Sequence, residues 1–201
     1  MTYNPSKHHR RSIRLKGYDY SQAGLYFITI CTQNRACLFG KIENGEMILN
    51  DAGRMVENEW LKLPERFQNI ALHEYIVMPN HFHAILEIVG ATLVVAQNGT
   101  VAQNGTVAQN IEKGQPQGIA PTEPTKIVVM GKTIGDMVGA FESITTVEYI
   151  RGVKTNNWQT FDKKLWQRNY WEHIIRNEMS YFKISEYITN NPAGWDNDTL
   201  K

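Results

Sequence analysis

A chain of 201 residues with 42% hydrophobic and 20% charged residues fits one domain of ordinary size, or one domain with an insertion. No apolar run approaches the roughly 20 residues that span a bilayer, and the basic opening "MTYNPSKHHRRSIRLKG" lacks the apolar stretch of a secretory signal. A net charge of +1 argues against a bulk electrostatic grip on nucleic acid. The two cysteines, Cys31 and Cys37, form no metal-site pattern and fit packing residues in a reducing cytoplasm, the expected location.

The charge distribution says more than its sum. Lys7, Arg10, Arg11, Arg14 and Lys16, with His8 and His9, make a basic arm over residues 1–24. Such an arm either follows a phosphate backbone or is a solvated terminus. "YFITICT" (Tyr26 to Thr32) then reads as a buried strand, being β-branched and aromatic. Asn44-Gly45 between short apolar runs marks a hairpin. Asp51 is the expected N-cap of a helix whose Ala52, Val56, Trp60 and Leu63 share one face, with Pro64 as its stop. "IALHEYIV" (Ile70 to Val77) and "HFHAILEIV" are two strands joined by the Met78-Pro79-Asn80 turn.

The hexad VAQNGT repeats between Val94 and Asn110 and runs into a Pro/Gly-rich stretch. Its period is too short and too polar for a solenoid, so residues 91–128 are expected to be a flexible insertion. A helix follows over Ile134 to Val153, with Met137, Phe141, Ile144 and Val147 as its apolar stripe. After the extended piece "LWQRNYWEHIIR", Asn177 caps a last helix, whose core face is Tyr181, Ile184 and Ile188 and which Pro192 ends. The order implies an α+β domain over residues 25–195, mostly antiparallel in its sheet, with a tail at 196–201.

Alternation along a strand puts His81 and His83 on one face and Phe82, Ala84, Leu86 and Ile88 on the other. Two imidazoles about 7 Å apart along a strand share one cation if a third ligand arrives from elsewhere; alone, a His-x-His is more often a solvated pair. No Ser-His-Asp order or Gly-rich phosphate loop stands out, which leaves tyrosine as the nucleophile to consider. Tyr187 lies on the last helix, with Asn191 one turn later at i+4 and Lys183 one turn earlier. One helix thereby offers both a nucleophile and an amide oxygen, unless Tyr187 is simply a half-buried residue near a helix end.

The ordered motifs "YFITICTQNR", "MPNHFHAIL", "LWQRNYWEHIIRNE" and "EYITNNP" together resemble the single-tyrosine transposases of the HUH endonuclease superfamily. The nearest branch is the REP-associated tyrosine transposases (RAYTs). The resemblance covers nearly everything except residues 91–128 and the last few residues. It implies a ferredoxin-like central antiparallel sheet with helices on one face. In that pattern His81 and His83 are the metal motif, Tyr187 is the nucleophile, and Asn191 is the third ligand for Mg2+ or Mn2+. Two departures stand out: the insertion directly after the histidine strand, and Glu142, where a basic residue is expected in relatives; either could weaken DNA binding.

The implied activity is a metal-dependent single-stranded DNA endonuclease and strand transferase acting at hairpin DNA. Tyr187 attacks a backbone phosphorus, forms a 5′-phosphotyrosine link and releases a 3′-OH. His173 and Lys183 are candidates to take the phenolic proton, and His173 is equally readable as structural. DNA contacts are expected from Arg10, Arg11, Arg14, Lys16, Arg35, Arg168, Arg176 and Lys183. Trp166, Tyr170 and Trp171 either stack on unpaired bases or pack in the core. Both a monomer and a homodimer are compatible. The rival readings are a non-catalytic hairpin-DNA binder derived from a transposase, and a hydrolytic metalloenzyme in which Tyr187 only packs.

Overall fold

The computed structural model describes Leu15, residues 17–90 and residues 132–201. The basic positions Arg10, Arg11, Arg14 and Lys16, and the insertion at 91–128, lie outside the described residues.

Four strands, β1 (Gly24–Cys31), β4 (Ile70–Val77), β5 (His81–Ile88) and β6 (Trp171–Ile175), form one sheet in the order β4-β5-β1-β6. Each neighbouring pair is antiparallel. With helices α1 (Asp51–Leu61) and α3 (Ile134–Thr155), the chain order becomes β-α-β-β-α-β, with the first and third strands central. That is the ferredoxin-like arrangement. Strands β2 (Gly40–Glu43) and β3 (Glu46–Leu49) make a separate hairpin. Its turn residues Asn44 and Gly45 both have positive φ, at 53° and 79°, as a two-residue turn matched to strand twist requires.

Local chemistry sets the helix ends, with one correction. The N-cap of α1 is Asn50, not Asp51: the Asn50 side chain accepts from the Gly53 amide at 2.8 Å, leaving Asp51 to complement the positive helix N-terminus. Helix α1 stops at Leu61, and Pro64 falls in the first turn of a four-residue helix, α2 (Leu63–Arg66). Proline is tolerated there because its missing N–H has no intrahelical partner. The stripe on α3 also differs from expectation. Met137, Phe141, Thr145 and Tyr149 are buried, whereas Val147 is 46% exposed. Thr145 replaces Ile144 in that ridge because its hydroxyl is satisfied, donating to the Phe141 carbonyl at 2.7 Å and accepting from Trp166 Nε1 at 2.9 Å.

The main core lies on the Phe82 face of the sheet. Phe82 packs against Trp60 of α1 and Phe141 of α3, with ring centroids 4.9 and 5.2 Å away. Ala84, Leu86 and Ile88 continue that face. Trp166 belongs to this core rather than to a stacking platform, at 5% exposure. Tyr18 and Tyr20, within the expected arm, also pack here. The other face is covered as well. Ile85 and Ile175 meet Ile188 on helix α4 (Glu178–Asn190), flanked by Phe27, Ile76, Tyr181 and Ile184. Helices on both faces correct the one-sided expectation: β5 carries Ile85 and two buried histidines on its second face, and α4 brings the apolar stripe that covers them. No helix among the described residues is long and apolar enough to cross a membrane.

Glu142 sits on α3, the helix covering the Phe82 face, and so lies away from the histidines. Burial pushes its carboxyl from 4.5 to about 7, and its Oε1 has no hydrogen-bond partner. A carboxyl raised on folding contributes its full stability below pH 4.5 and loses it as pH rises through 7. At ~1.4 kcal/mol for each tenfold change in proton affinity, the ionised carboxylate costs at most about 3.5 kcal/mol. Glu142→Gln is therefore expected to unfold at higher urea than the wild type at pH 8, with the gap closing by pH 4.5.

Candidate metal and tyrosine site

The register of the central strands builds the site. Along the antiparallel β1–β5 ladder, Cys31 stands opposite His81 and Thr29 opposite His83, so all four side chains share the α4 face. The histidines are not a solvated pair: His81 is 0% and His83 1% exposed, with ring centroids 4.5 Å apart. Their hydrogen bonds orient them. Asn80 Nδ2 donates to the carbonyls of Leu200 (2.8 Å) and Arg35 (3.3 Å), which turns its Oδ1 toward His81 Nδ1 at 2.7 Å. His81 Nδ1 therefore carries the hydrogen, and the neutral ring keeps its lone pair on Nε2. His83 Nδ1 pairs with Thr29 Oγ1 at 2.8 Å, and its Nε2 faces the Tyr187 hydroxyl at 3.3 Å.

Burial pushes His81 down to about 4, partly opposed by the Asp198 charge and the Asn191 amide. Burial, with His81 beside it, holds His83 well below its ordinary value. Both rings are neutral at pH 7, the form that ligates metals. Because the unfolded chain takes up these protons first, stability is full above pH 6.5 and falls with acid toward pH 4. Urea denaturation in EDTA is expected to show that fall, and His81→Asn is expected to shrink it.

Helix α4 delivers the tyrosine. Asn177 caps it by accepting from the Ser180 amide at 2.8 Å. Beyond the Ile188 contact, a polar clamp docks it on β4. Tyr181 and Ser185 donate to Glu74 Oε2 at 2.9 and 3.1 Å, and His73 Nδ1 meets the Tyr181 hydroxyl at 3.1 Å. A register irregularity in β4 between Leu72 and Tyr75 accompanies these adjacent contacts of His73 and Glu74. Tyr187, 46% exposed, stands edge-on to Phe27 with centroids 6.2 Å apart. Burial and then the Asp198 charge raise its phenol, against a lowering hydrogen bond to Asn191. Tyr181→Phe deletes the hinge of the clamp. It is expected to cost about 1–3 kcal/mol and to speed amide exchange in α4 over that in α3, read by hydrogen-exchange mass spectrometry.

Asn191, the C-cap of α4, is buried beside His81 and Tyr187, and its Oδ1 has no hydrogen-bond partner. His81 Nε2 and Asp198 Oδ2 are likewise buried and unpartnered, 3.7 Å apart. Asp198 belongs to the segment expected to be a tail beyond the domain. Instead, a 3-10 turn at Trp195–Asn197 folds it back over the histidines, with the Trp195 ring 6.1 Å from His81. Arg35 holds that segment in place, its Nη1 donating to the Thr199 carbonyl at 2.9 Å. No sequence pattern marked Asp198; only the chain reversal after Pro192 brings it in. Cys31 is no ready thiolate donor, because burial pushes its thiol up. Among the described residues no three His, Cys, Asp or Glu side chains form a metal-ready group; the donors here include an amide.

Of the other expected residues, Arg168, Arg176 and Lys183 are exposed. Lys183 and His173 line a groove of about 480 Å³ between β6 and α4, together with Phe27, Trp171 and Met179. Neither is hydrogen-bonded to Tyr187, whose hydroxyl meets His83. Tyr170 packs partly against the core, whereas Trp171 is 45% exposed.

These features define a class: a ferredoxin-like sheet with a histidine pair on a central strand and a tyrosine on the last helix. The fold is that of a REP-associated tyrosine transposase solved bound to a REP hairpin, with TM-score 0.51 and 16% identity over 92% of this chain and 74% of that one. An uncharacterised protein of Haemophilus influenzae is 42% identical over 200 residues, 98% of this chain and 96% of the relative, and the chain belongs to its family. No protein-family model matches.

Proposed function

We propose that this protein is a metal-dependent endonuclease and strand transferase for single-stranded DNA at hairpins, with Tyr187 as its nucleophile. The observation that carries the reading is the Tyr187 hydroxyl 3.3 Å from His83 Nε2, beside unpartnered atoms of His81 and Asn191. The shared fold with a hairpin-bound tyrosine transposase supports the DNA substrate.

The donor set suits a divalent cation. Two neutral imidazoles and an amide oxygen, with His81 Nε2 and Asn191 Oδ1 buried and unpartnered, match the nitrogen and oxygen ligands of Mn2+ or Mg2+. His81, His83 and Asn191 would hold it. When bound, such an ion polarises the scissile phosphate and offsets charge on the leaving oxygen.

The chain's own groups do the rest. Asn80 and Thr29 fix the two rings through Nδ1, the outer-shell support that metal-site histidines need. Tyr187 remains a phenol at neutral pH, so its attack must shed a proton. Its oxygen bonds to phosphorus as the P–O3′ bond breaks, leaving a 5′-phosphotyrosine and a free 3′-OH after proton uptake. A later 3′-OH reverses the step and rejoins DNA. In this reading the Tyr187 hydroxyl meets His83 of its own chain. Exposed Arg168 and Lys183 would serve as phosphate contacts, Arg176 follows β6 at the opposite end of β1 from the histidines, and Trp171 offers an open ring for a base.

A labelled hairpin with a single-stranded flank, incubated with the protein and Mn2+, is expected to give an SDS-resistant adduct. Tyr187→Phe and His81→Ala should each abolish it. Cleavage that survives Tyr187→Phe without an adduct would indicate a hydrolytic enzyme. A native-gel complex without cleavage would indicate a binder.

A further inference from the structure

Asp198 lies outside the ligand set just proposed, yet it is the group in the site that most needs a partner. Its side chain is 7% exposed, and Oδ2 is unpartnered while Oδ1 accepts from the Leu200 amide at 2.7 Å. Oδ2 points at His81 Nε2 across 3.7 Å. The Asn80 amide already claims the hydrogen of His81 on Nδ1, so a carboxylate oxygen and an imidazole lone pair face one another. Two buried acceptors in that position repel unless a cation lies between them. With donor–metal distances of about 2.1 Å, ligands subtending about 90–120° stand roughly 3.0–3.6 Å apart. The observed gap lies just outside that span, and His81, His83 and Asp198 do not stand as a preformed metal group, so binding must draw the carboxylate slightly inward.

From this convergence we infer that Asp198 is a further ligand of the metal centre, an anionic oxygen delivered by the turn after α4. The inference rests on the metal-dependent reading above. It also explains how the turn is anchored. Asn80 and Arg35 bond the carbonyls of Leu200 and Thr199, anchoring the chain immediately after the carboxylate. The chemistry of the site changes too. Two imidazoles and an amide are neutral, whereas a carboxylate makes the set anionic, which strengthens binding of hard divalent cations.

The test is calorimetric titration of the full-length protein with Mn2+, without DNA, on the wild type, Asp198→Asn, Asp196→Asn and His81→Ala. Asp198→Asn keeps the shape and an oxygen for the Leu200 amide. Asp196→Asn makes the same charge change two residues away, on an exposed side chain paired with Lys201. We expect Asp198→Asn to weaken Mn2+ binding at least about tenfold and Asp196→Asn to leave it within about twofold. The metal-free Asp198→Asn protein should melt no lower than the wild type, because its amide can donate to His81 Nε2. Wild-type affinity in Asp198→Asn, with binding lost in His81→Ala, would overturn the inference while the metal site stands. Tighter binding in Asp198→Asn would make the carboxylate an obstruction rather than a ligand. Equal losses in both Asn variants would reduce its role to general charge. No binding by the wild type would remove the metal reading itself, and the ligand with it.

Discussion

Burial of strand β5 on both faces is the constraint on which the rest depends. Its even-numbered side chains, led by Phe82, form the floor of the main core under α1 and α3. Of its odd-numbered side chains, His81, His83 and Ile85 are nearly inaccessible, and Glu87 at the strand's end is partly exposed. Apolar residues can be buried for the gain in free energy alone. Burying a histidine costs free energy for each ring nitrogen left without a partner. That requirement reaches outward to Asn80 and Thr29, to Tyr187, and to the chain after Pro192. The second face of β5 consequently determines where α4 and the C-terminal turn must lie.

Docking α4 solves two problems with one element. Its apolar residues Ile184 and Ile188 close over Ile85 and Ile175, while its polar residues bind the edge strand β4 through Glu74 and His73. The clamp residues Tyr181 and Ser185 lie six and two positions before Tyr187, close enough to fix the helix rotation about its axis. A rotation of one residue, about 100°, would carry the hydroxyl away from His83. Positional accuracy at the tyrosine thus comes from contacts that touch neither histidine. Sites on helices and strands hold such geometry better than sites on loops.

Much of this was legible in the sequence because two periodicities dominate it. Period two along 81–88 separates Phe82, Ala84 and Leu86 from the histidines whatever packs on either face, and the i+4 spacing places Asn191 beneath Tyr187. What was not legible depends on tertiary context. A solvated histidine pair and a doubly covered one have the same local sequence. The difference comes from α4, about 100 positions later, as the His83–Tyr187 contact at a separation of 104 residues shows. Trp166 reads as an aromatic among arginines, but Thr145 of α3 supplies its indole with an acceptor inside the core. Asn50 and Asp51 are both good caps, and only the backbone angles at Asn50 decide between them. Asp198 follows a helix stop in a short polar run, which carries no pattern at all.

Three of the unpartnered atoms share one neighbourhood. A folded chain seldom leaves an imidazole nitrogen, an amide oxygen and a carboxylate oxygen buried without hydrogen bonds, since each costs on the order of 1–3 kcal/mol. Here His81 Nε2, Asn191 Oδ1 and Asp198 Oδ2 all fall in one place. The cation proposed above would satisfy all three at once. The aromatic cluster of Trp60, Phe82 and Phe141 lies directly behind, across the same strand. It packs the other face of β5. With both faces of β5 covered, the histidine rings are fixed from behind by this aromatic core and from the front by α4.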